Sequence, residues 1–198
     1  MARLSREQSK LKTRELLIAA AKSEFALSGY GSTSADIIAE KAGFSKGAFY
    51  SHFATKEDIF LELLRIHMDN ESRVLEELFD LAQEPSSILK GISQWFLTMQ
   101  NDAEWQLLSV ELNLHAKRSA EFAKKFYKLQ AEHQKTLSQF VDMFFKLAEH
   151  QPTVKPDLIA YYIMSMSLGG AILKHPNYNS KMTGQGVVLF LKGLLALK

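Results

Sequence analysis

Two side chains that can bind phosphate, Lys46 and Tyr50, stand four residues apart in the segment that follows Ser45. In a helix this spacing puts them on one face, while Phe49 and Phe53, also four apart, lie on another. Small residues at positions 47, 48 and 51 keep the polar face shallow. The major groove of DNA accepts such a face, because small residues permit close approach and the polar side chains can reach phosphates or base edges. The segment is therefore predicted to be a recognition helix.

A second short helix is predicted directly before it. Ile38 and Ala42 recur at the spacing of one helical face. Gly43 supplies the sharp exit, because glycine adopts positive φ without a Cβ clash. Thr33 and Ser34 are both suitable N-caps for the start of this helix. The two helices together predict a helix-turn-helix over residues 33 to 56.

Residues 13 to 64 resemble the DNA-binding domain of the TetR family of one-component bacterial regulators. The family pattern is matched at Gly29-Tyr30, Thr33, Ile38-Ala39, Ala42-Gly43, Ser45-Lys46-Gly47, Tyr50, Phe53 and Lys56-Glu57. The chain departs from the pattern at Ile37, where an acidic residue is more usual, at Phe44, where a smaller residue is usual, and at Ala48, where a hydroxyl is common.

The resemblance and the helix faces together predict contacts with a double-stranded DNA operator. Lys56 is included because the family position implies phosphate binding, and His52 lies between the two faces of the recognition helix. The first 56 residues hold nine Lys and Arg against five Asp and Glu, whereas the remainder holds 15 against 17, so the positive field lies at one end. The predicted DNA contacts are Thr33, Ser34, Ser45, Lys46, Gly47, Ala48, Tyr50, His52 and Lys56.

The composition excludes several classes of protein. The 198 residues are 46% hydrophobic and contain no cysteine, so a buried core is expected and disulfides and thiol chemistry are not. The first fifteen residues are polar and basic, unlike a secretory signal. The longest uncharged stretch, residues 158 to 173, is shorter than the roughly 18 residues that suggest a membrane span. A soluble cytoplasmic protein without a membrane partner, metal or cofactor is expected.

The whole sequence predicts an all-α protein of about nine helices, because turn residues separate long segments of helical period and no strand pattern appears. Residues 1–54 are predicted to form the helix-turn-helix domain, and residues 55–198 an effector-binding and dimerisation domain. Thr55 and Asp58 form a capping box that opens a long fourth helix, which extends to about Leu81 and connects the two parts.

An apolar stripe of the second domain is a candidate effector site. Glu111 and His115 fall on the same stripe as Leu108 and Leu112, and polar groups on an apolar stripe need partners. They could pair with each other at i, i+4, or provide polar contacts in a pocket for a mostly apolar or aromatic small molecule. Alternatively, the stripe is ordinary core. The predicted effector contacts are Trp95, Met99, Trp105, Leu108, Glu111 and His115; Asn113 and His67 are weaker candidates.

The last helix is apolar on almost all sides, which predicts burial against a partner subunit. The alternative is an ordinary core helix of one chain. Two adjacent glycines in the eighth helix would permit close approach of helices. A homodimer is expected, because operator readers of this kind act as two-fold pairs. The predicted interface residues are Gly169, Gly170, Val187, Leu191 and Leu194.

The function implied by these patterns is sequence-specific transcriptional regulation, most simply repression that a small molecule relieves. A helical enzyme or lipid carrier is an alternative, although the chain shows no nucleophile elbow, no glycine-rich phosphate loop and no HExxH pair. An interaction protein that does not bind DNA is a third reading, which the basic recognition face disfavours.

Overall fold

The computed structural model describes residues 5–100, 102–173 and 181–196, without the side chains at 99, 100 and 181. Within these residues the protein is all-helical, and the predicted fold class is confirmed. The described part of the chain forms nine helices: α1 Arg6–Ser28, α2 Ala35–Lys41, α3 Lys46–Tyr50, α4 Lys56–Leu81, α5 Pro85–Gln100, α6 Ala103–Arg118, α7 Ala120–Leu147, α8 Pro156–Ile172 and α9 Lys181–Ala196.

Hydroxyl caps fix the starts of the short helices. The side chain of Ser34 accepts a hydrogen bond from the backbone N–H of Ile37, and that of Ser45 accepts one from Ala48. Thr55 opens α4 with the predicted capping box. Because these caps satisfy backbone donors that a helix leaves unpaired, they place α2, α3 and α4 at defined points along the chain.

Thr33 does not cap α2, and the prediction that it could is wrong. Its hydroxyl donates to the carbonyl oxygens of Gly29, at 2.9 Å, and Glu24, at 3.2 Å. Thr33 is only 2% exposed. The turn that follows α2 agrees with the sequence, since Gly43 has a φ of 79°. Thr33 therefore fixes the α1–α2 loop from inside.

The core consists of two hydrophobic clusters. The first joins α1, α2, α3 and the first half of α4 to α6 and the start of α7, with Phe25, Phe60 and Phe122 among its members. The second joins the end of α4 to α5, the later part of α7, α8 and α9. Helix α4 thus belongs to both clusters, and the first cluster also holds α1 against α6 and α4 against α7.

Candidate DNA-binding face and ligand cavity

The recognition helix α3 separates its two faces as its sequence predicts. Phe49 and Phe53 are buried in the first cluster, whereas Lys46 and Tyr50 are exposed. The Tyr50 ring packs edge-on against Phe49, with ring centroids 5.3 Å apart. The phenol is therefore oriented by the core but points outward, as a DNA contact would require.

Lys46 is paired with a carboxylate in the absence of DNA. Its Nζ lies 2.9 Å from Oδ2 of Asp36 on α2, and both side chains are exposed. The hydrogen bond to Asp36 raises the pKa of Lys46, so the ammonium keeps its charge. An exposed ion pair contributes little stability, so the lysine can exchange Asp36 for a phosphate at small cost.

The remaining predicted contacts of the helix-turn-helix divide by exposure. Ser34, Ser45 and Gly47 are exposed, and Ala48 is half-buried, which leaves the start of α3 open to close approach. Thr33 is buried beneath this surface. Its inclusion as a DNA contact is corrected, because both the position and the hydroxyl serve the loop behind the face.

Lys56 lies partly inside the domain. Its Nζ donates to the carbonyl oxygens of Tyr30 and Thr33, each at 2.7 Å, and lies 4.0 Å from the centre of the Tyr30 ring. Burial lowers the pKa of Lys56, and the neighbouring Glu57 opposes this. The lysine thus links the start of α4 to the α1–α2 loop, and a phosphate contact through its third donor stays a prediction.

His52 is half-buried and lies close enough to α1 to be affected by its basic side chains. Burial lowers the pKa of His52, and the positive charges of Lys10 and Arg14 lower it further. A neutral imidazole among basic residues can donate one hydrogen bond but adds no charge to the face. Its role as a DNA contact stays a prediction.

A cavity of about 520 Å³ is lined by residues of α4, α5, α6, α7 and α8 and by Thr183 of α9. Trp95 and Trp105 line it, as the sequence predicts for effector contacts, and so do the weaker candidates His67 and Asn113. Its volume falls in the range of small-molecule sites, which are mostly apolar with a few placed polar groups. The side chain of Met99 lies outside the described residues.

Three predicted effector residues do not line this cavity, and that assignment is corrected. Leu108 is wholly buried in the first cluster. His115 Nε2 lies 2.8 Å from Oε1 of Glu57, at the start of α4. Glu111 faces the end of α1, where a Cβ on Gly29 would lie 3.3 Å from its Oε1. The residues of α6 that line the cavity are Trp105, Gln106, Ser109, Leu112 and Asn113.

The physical reason is that α6 is buried on two sides. One side borders the cavity, and the other packs on the DNA-binding module, by which we mean α1, α2, α3 and the first half of α4. There the ring centroids of His115 and Tyr30 are 4.1 Å apart. Near the start of α6, Lys22 of α1 pairs with Asp102 at 2.7 Å. Polar residues on an apolar helix stripe can therefore indicate either a ligand pocket or a contact between two parts of the fold.

The cavity contains a polar pair that was not among the predicted site residues. His133 Nε2 lies 3.0 Å from Oε2 of Glu71, and both side chains are largely buried. Burial alone would raise the pKa of Glu71, but the hydrogen bond and charge of His133, with a contribution from His67, hold it below its usual value. The sequence signal was present, since each residue interrupts an apolar stripe, Glu71 before Leu75 and His133 before Leu137.

His67 forms the aromatic wall of the cavity with Trp105. Their ring centroids are 3.6 Å apart and their planes differ by 13°, so the rings stack. Burial lowers the pKa of His67 to about 4; the charge of Glu71 opposes this and that of His133 adds to it. The imidazole is therefore neutral at pH 7.

Four of the five predicted interface residues make contacts within one chain. Val187, Leu191 and Leu194 belong to the second cluster and are buried without a partner. A Cβ on Gly170 would collide with the side chain of Thr183 on α9. The assignment of Val187, Leu191 and Leu194 to a subunit interface is corrected, because α9 finds its cover inside the protomer, whereas Gly170 is exposed and its assignment stays a prediction. Only Gly169 has open space before it.

A different apolar face of α8 and α9 is uncovered. It includes Leu158 and Tyr162 of α8 and Leu189 of α9, which are all exposed. Tyr162 meets Phe190 edge-on across the two helices, at 6.2 Å between ring centroids. We call this the α8/α9 face; Gly169 lies in register with Leu158 and Tyr162 on it.

None of the described helices is both long enough and apolar enough to span a lipid bilayer. In the same residues, no group of three or more His, Asp and Glu side chains is placed to hold a metal ion.

Comparison with known proteins identifies the relatives of the chain. Residues 17–63 match bacterial regulatory proteins of the tetR family. The HTH-type transcriptional regulator AcrR of Shigella flexneri is 31% identical over 116 residues, which are 58% of this chain and 54% of that protein. The chain spans about half the length of the curated relatives it matches.

Solved structures share the complete fold. The fatty acid degradation regulator FadR of Bacillus halodurans superposes with a TM-score of 0.78 at 17% identity, covering 100% of both chains. The regulator FadR of Bacillus subtilis, solved in complex with stearoyl-CoA, gives a TM-score of 0.73 at 21% identity, covering 89% of this chain and 96% of that one. At these identities the likeness establishes the fold.

Proposed function

We propose that the chain, whose residues 17–63 match bacterial regulatory proteins of the tetR family, is a member of that family and a sequence-specific transcriptional repressor that a small molecule releases from its operator. The observation that carries this proposal is the outward face of α3, where Lys46 and Tyr50 are exposed over a buried Phe49. A repressor of this kind would work in the cytoplasm, where the DNA is, and would act by binding and not by catalysis.

The cavity supplies the site for the releasing molecule. Helix α4 carries His67 and Glu71 in the cavity and Glu57 and Phe60 in the DNA-binding module. Helix α6 likewise borders the cavity on one side and contacts the module through His115. A ligand that binds more tightly to one arrangement of these two helices shifts the module with them. Such differential affinity is all that release from DNA requires.

The proposal is tested by selecting bound duplexes from a random DNA library with the purified protein. Enrichment of a palindromic or near-palindromic site is expected, because paired recognition helices read paired half-sites. Recovery of unenriched sequence, with affinity that depends on salt alone, would remove specific regulation as the function.

On the selected site, Lys46→Ala is expected to weaken binding and to lower the slope of log K against log salt by about one unit, because one phosphate contact is lost. Tyr50→Phe keeps the packing on Phe49 and should cost about 1 kcal/mol if the hydroxyl binds phosphate. Lys90→Ala, an exposed lysine on α5, is the control. Wild-type affinity in both variants of α3 would show that this face does not bind DNA.

We also propose a homodimer formed through the α8/α9 face. Leu189 is 69% exposed on α9, so Leu189→Glu should convert the dimer to a folded monomer in sedimentation velocity, with unchanged circular dichroism. Leu191→Glu, two residues on, should instead unfold the protein, since Leu191 is 2% exposed within one chain. A wild-type protein that sediments as a monomer at micromolar concentration would exclude the dimer.

A further inference from the structure

The charges that line the cavity define the kind of ligand it can hold. Among the described residues of the lining there is one carboxylate, Glu71, and neither lysine nor arginine. Lys22 lies close enough to influence His67, but it pairs with Asp102 at 2.7 Å and lies 3.6 Å from Glu104. Glu71 has His133 as its partner. With His67 neutral, these groups together carry a net charge of zero or below.

An anionic ligand would therefore lose its water without gaining a cation. Burying an unpaired carboxylate or phosphate costs several kcal/mol, and the field of Glu71 adds repulsion. A cation would instead gain a negatively charged partner, because Glu71 is ionised. The Glu71 side chain is largely buried, at 17% exposure, so water weakens this attraction little. A charge-assisted hydrogen bond to a buried carboxylate is roughly twice as strong as a neutral one.

The walls of the cavity suit the rest of such a ligand. Trp105 stacks on His67, and Trp95, Tyr127 and Tyr161 complete an aromatic lining. Aromatic faces attract cations, with the greatest effect where water is excluded. A second, almost wholly apolar pocket of about 50 Å³ shares Glu71 with the main cavity and can take an apolar group.

We infer that the effector is an organic cation with an aromatic or alkyl body, whose positive group binds at Glu71. This inference rests on the proposed function for its biological meaning, but the charge preference of the cavity is measured without DNA. The cavity should therefore distinguish molecules of similar size by their charge.

The test uses three probes with the same phenyl ring and a four-carbon chain: 4-phenylbutylamine, 4-phenylbutan-1-ol and 4-phenylbutyrate, whose fourth carbon is that of the carboxylate. Binding to the full chain is measured at pH 7.5 by calorimetry and by quenching of Trp95 and Trp105 emission. We expect the amine to bind about tenfold more tightly than the alcohol, equivalent to one charge-assisted hydrogen bond, and the carboxylate to bind more weakly than both. Equal affinities, a preference for the carboxylate, or no binding of the amine would overturn the inference.

Variants locate the preference. Glu71→Gln should abolish the tenfold advantage of the amine, whereas Glu76→Gln, an exposed position on the same helix, should keep it. Retention of the advantage in Glu71→Gln would show that another group selects the charge. If Glu71→Gln does not fold, the wild-type series alone decides. If the wild-type protein prefers the amine but selects no operator, only the regulatory function is overturned. If it selects an operator but does not prefer the amine, only the ligand class is overturned.

Discussion

Replacing Phe60 with alanine should lower the free energy of unfolding by about 3–5 kcal/mol, the range observed when a large aromatic is removed from a core. Phe60 is fully buried, and its ring contacts those of Phe25, Tyr30 and Phe122 at 4.9, 4.6 and 5.9 Å between centroids. Truncation would leave an empty space in the first cluster, where α4 joins the DNA-binding module to α7. Urea denaturation followed by circular dichroism measures the loss.

Leu81→Ala is the matched control for this prediction. It truncates a large apolar side chain on the same helix, but at a position that is 84% exposed, so its effect should stay within about 0.5 kcal/mol. If Phe60→Ala lowered the free energy of unfolding by less than about 1 kcal/mol, the neighbouring aromatic rings would have closed the space left by Phe60. The module would then not be fixed to α4 through this ring.

Local features of this fold followed from the sequence because their causes lie within a few residues. The capping box of Thr55 and Asp58, the positive φ of Gly43 and the opposite faces of Tyr50 and Phe49 each depend on neighbours at most four positions away. The role of Thr33 was not predicted, because its hydroxyl points into the α1–α2 loop. It donates to the carbonyl oxygen of Gly29 and to that of Glu24, nine residues earlier. Two candidate caps side by side could not be separated without that contact.

The partners of buried stripes could not be read from spacing. Periodicity states that a residue is covered, but not which element covers it. Leu191 is covered by the rest of its own chain instead of a second subunit, and His115 by Glu57, 58 positions away. The pair of Glu71 and His133 spans 62 positions. His115, Glu71 and His133 each interrupt an apolar stripe, but the sequence prediction used this signal only at His115, and the topology alone assigns the roles of all three.

The stability of the protein should fall as the pH drops from about 6.5 towards 4, through the proton equilibrium of His67. Burial lowers the pKa of this imidazole in the folded state to about 4, from an ordinary value of 6.5. Between these values the unfolded chain binds a proton that the folded chain excludes, so the free energy of unfolding decreases with falling pH. The loss reaches about 2 kcal/mol by pH 5 and about 3 kcal/mol once both states are protonated.

The groups around His67 do not remove this window. Glu71, His133, Asp102 and Lys22 all influence it electrostatically, and the sum of their effects is less than that of burial. The pKa of Glu71 is itself lowered, so the stability it contributes is present above its ordinary value of 4.5 and is lost only below it. The interval from pH 6.5 to 5 therefore reports on the two histidines whose pKa is lowered, His67 and His52, and of these His67 stacks on Trp105.

His67→Phe separates the effect from other acid-sensitive groups, because phenylalanine preserves the stack on Trp105 and cannot bind a proton. Urea unfolding of the wild type and the variant at pH 7.5, 6.5, 5.5 and 5.0 should show the wild type losing about 2 kcal/mol more than the variant. Glu71→Gln should keep this excess loss, since it leaves the imidazole buried. Parallel losses in the wild type and His67→Phe would mean that water reaches the imidazole in the folded protein, and that the stacked wall of the cavity opens to solvent.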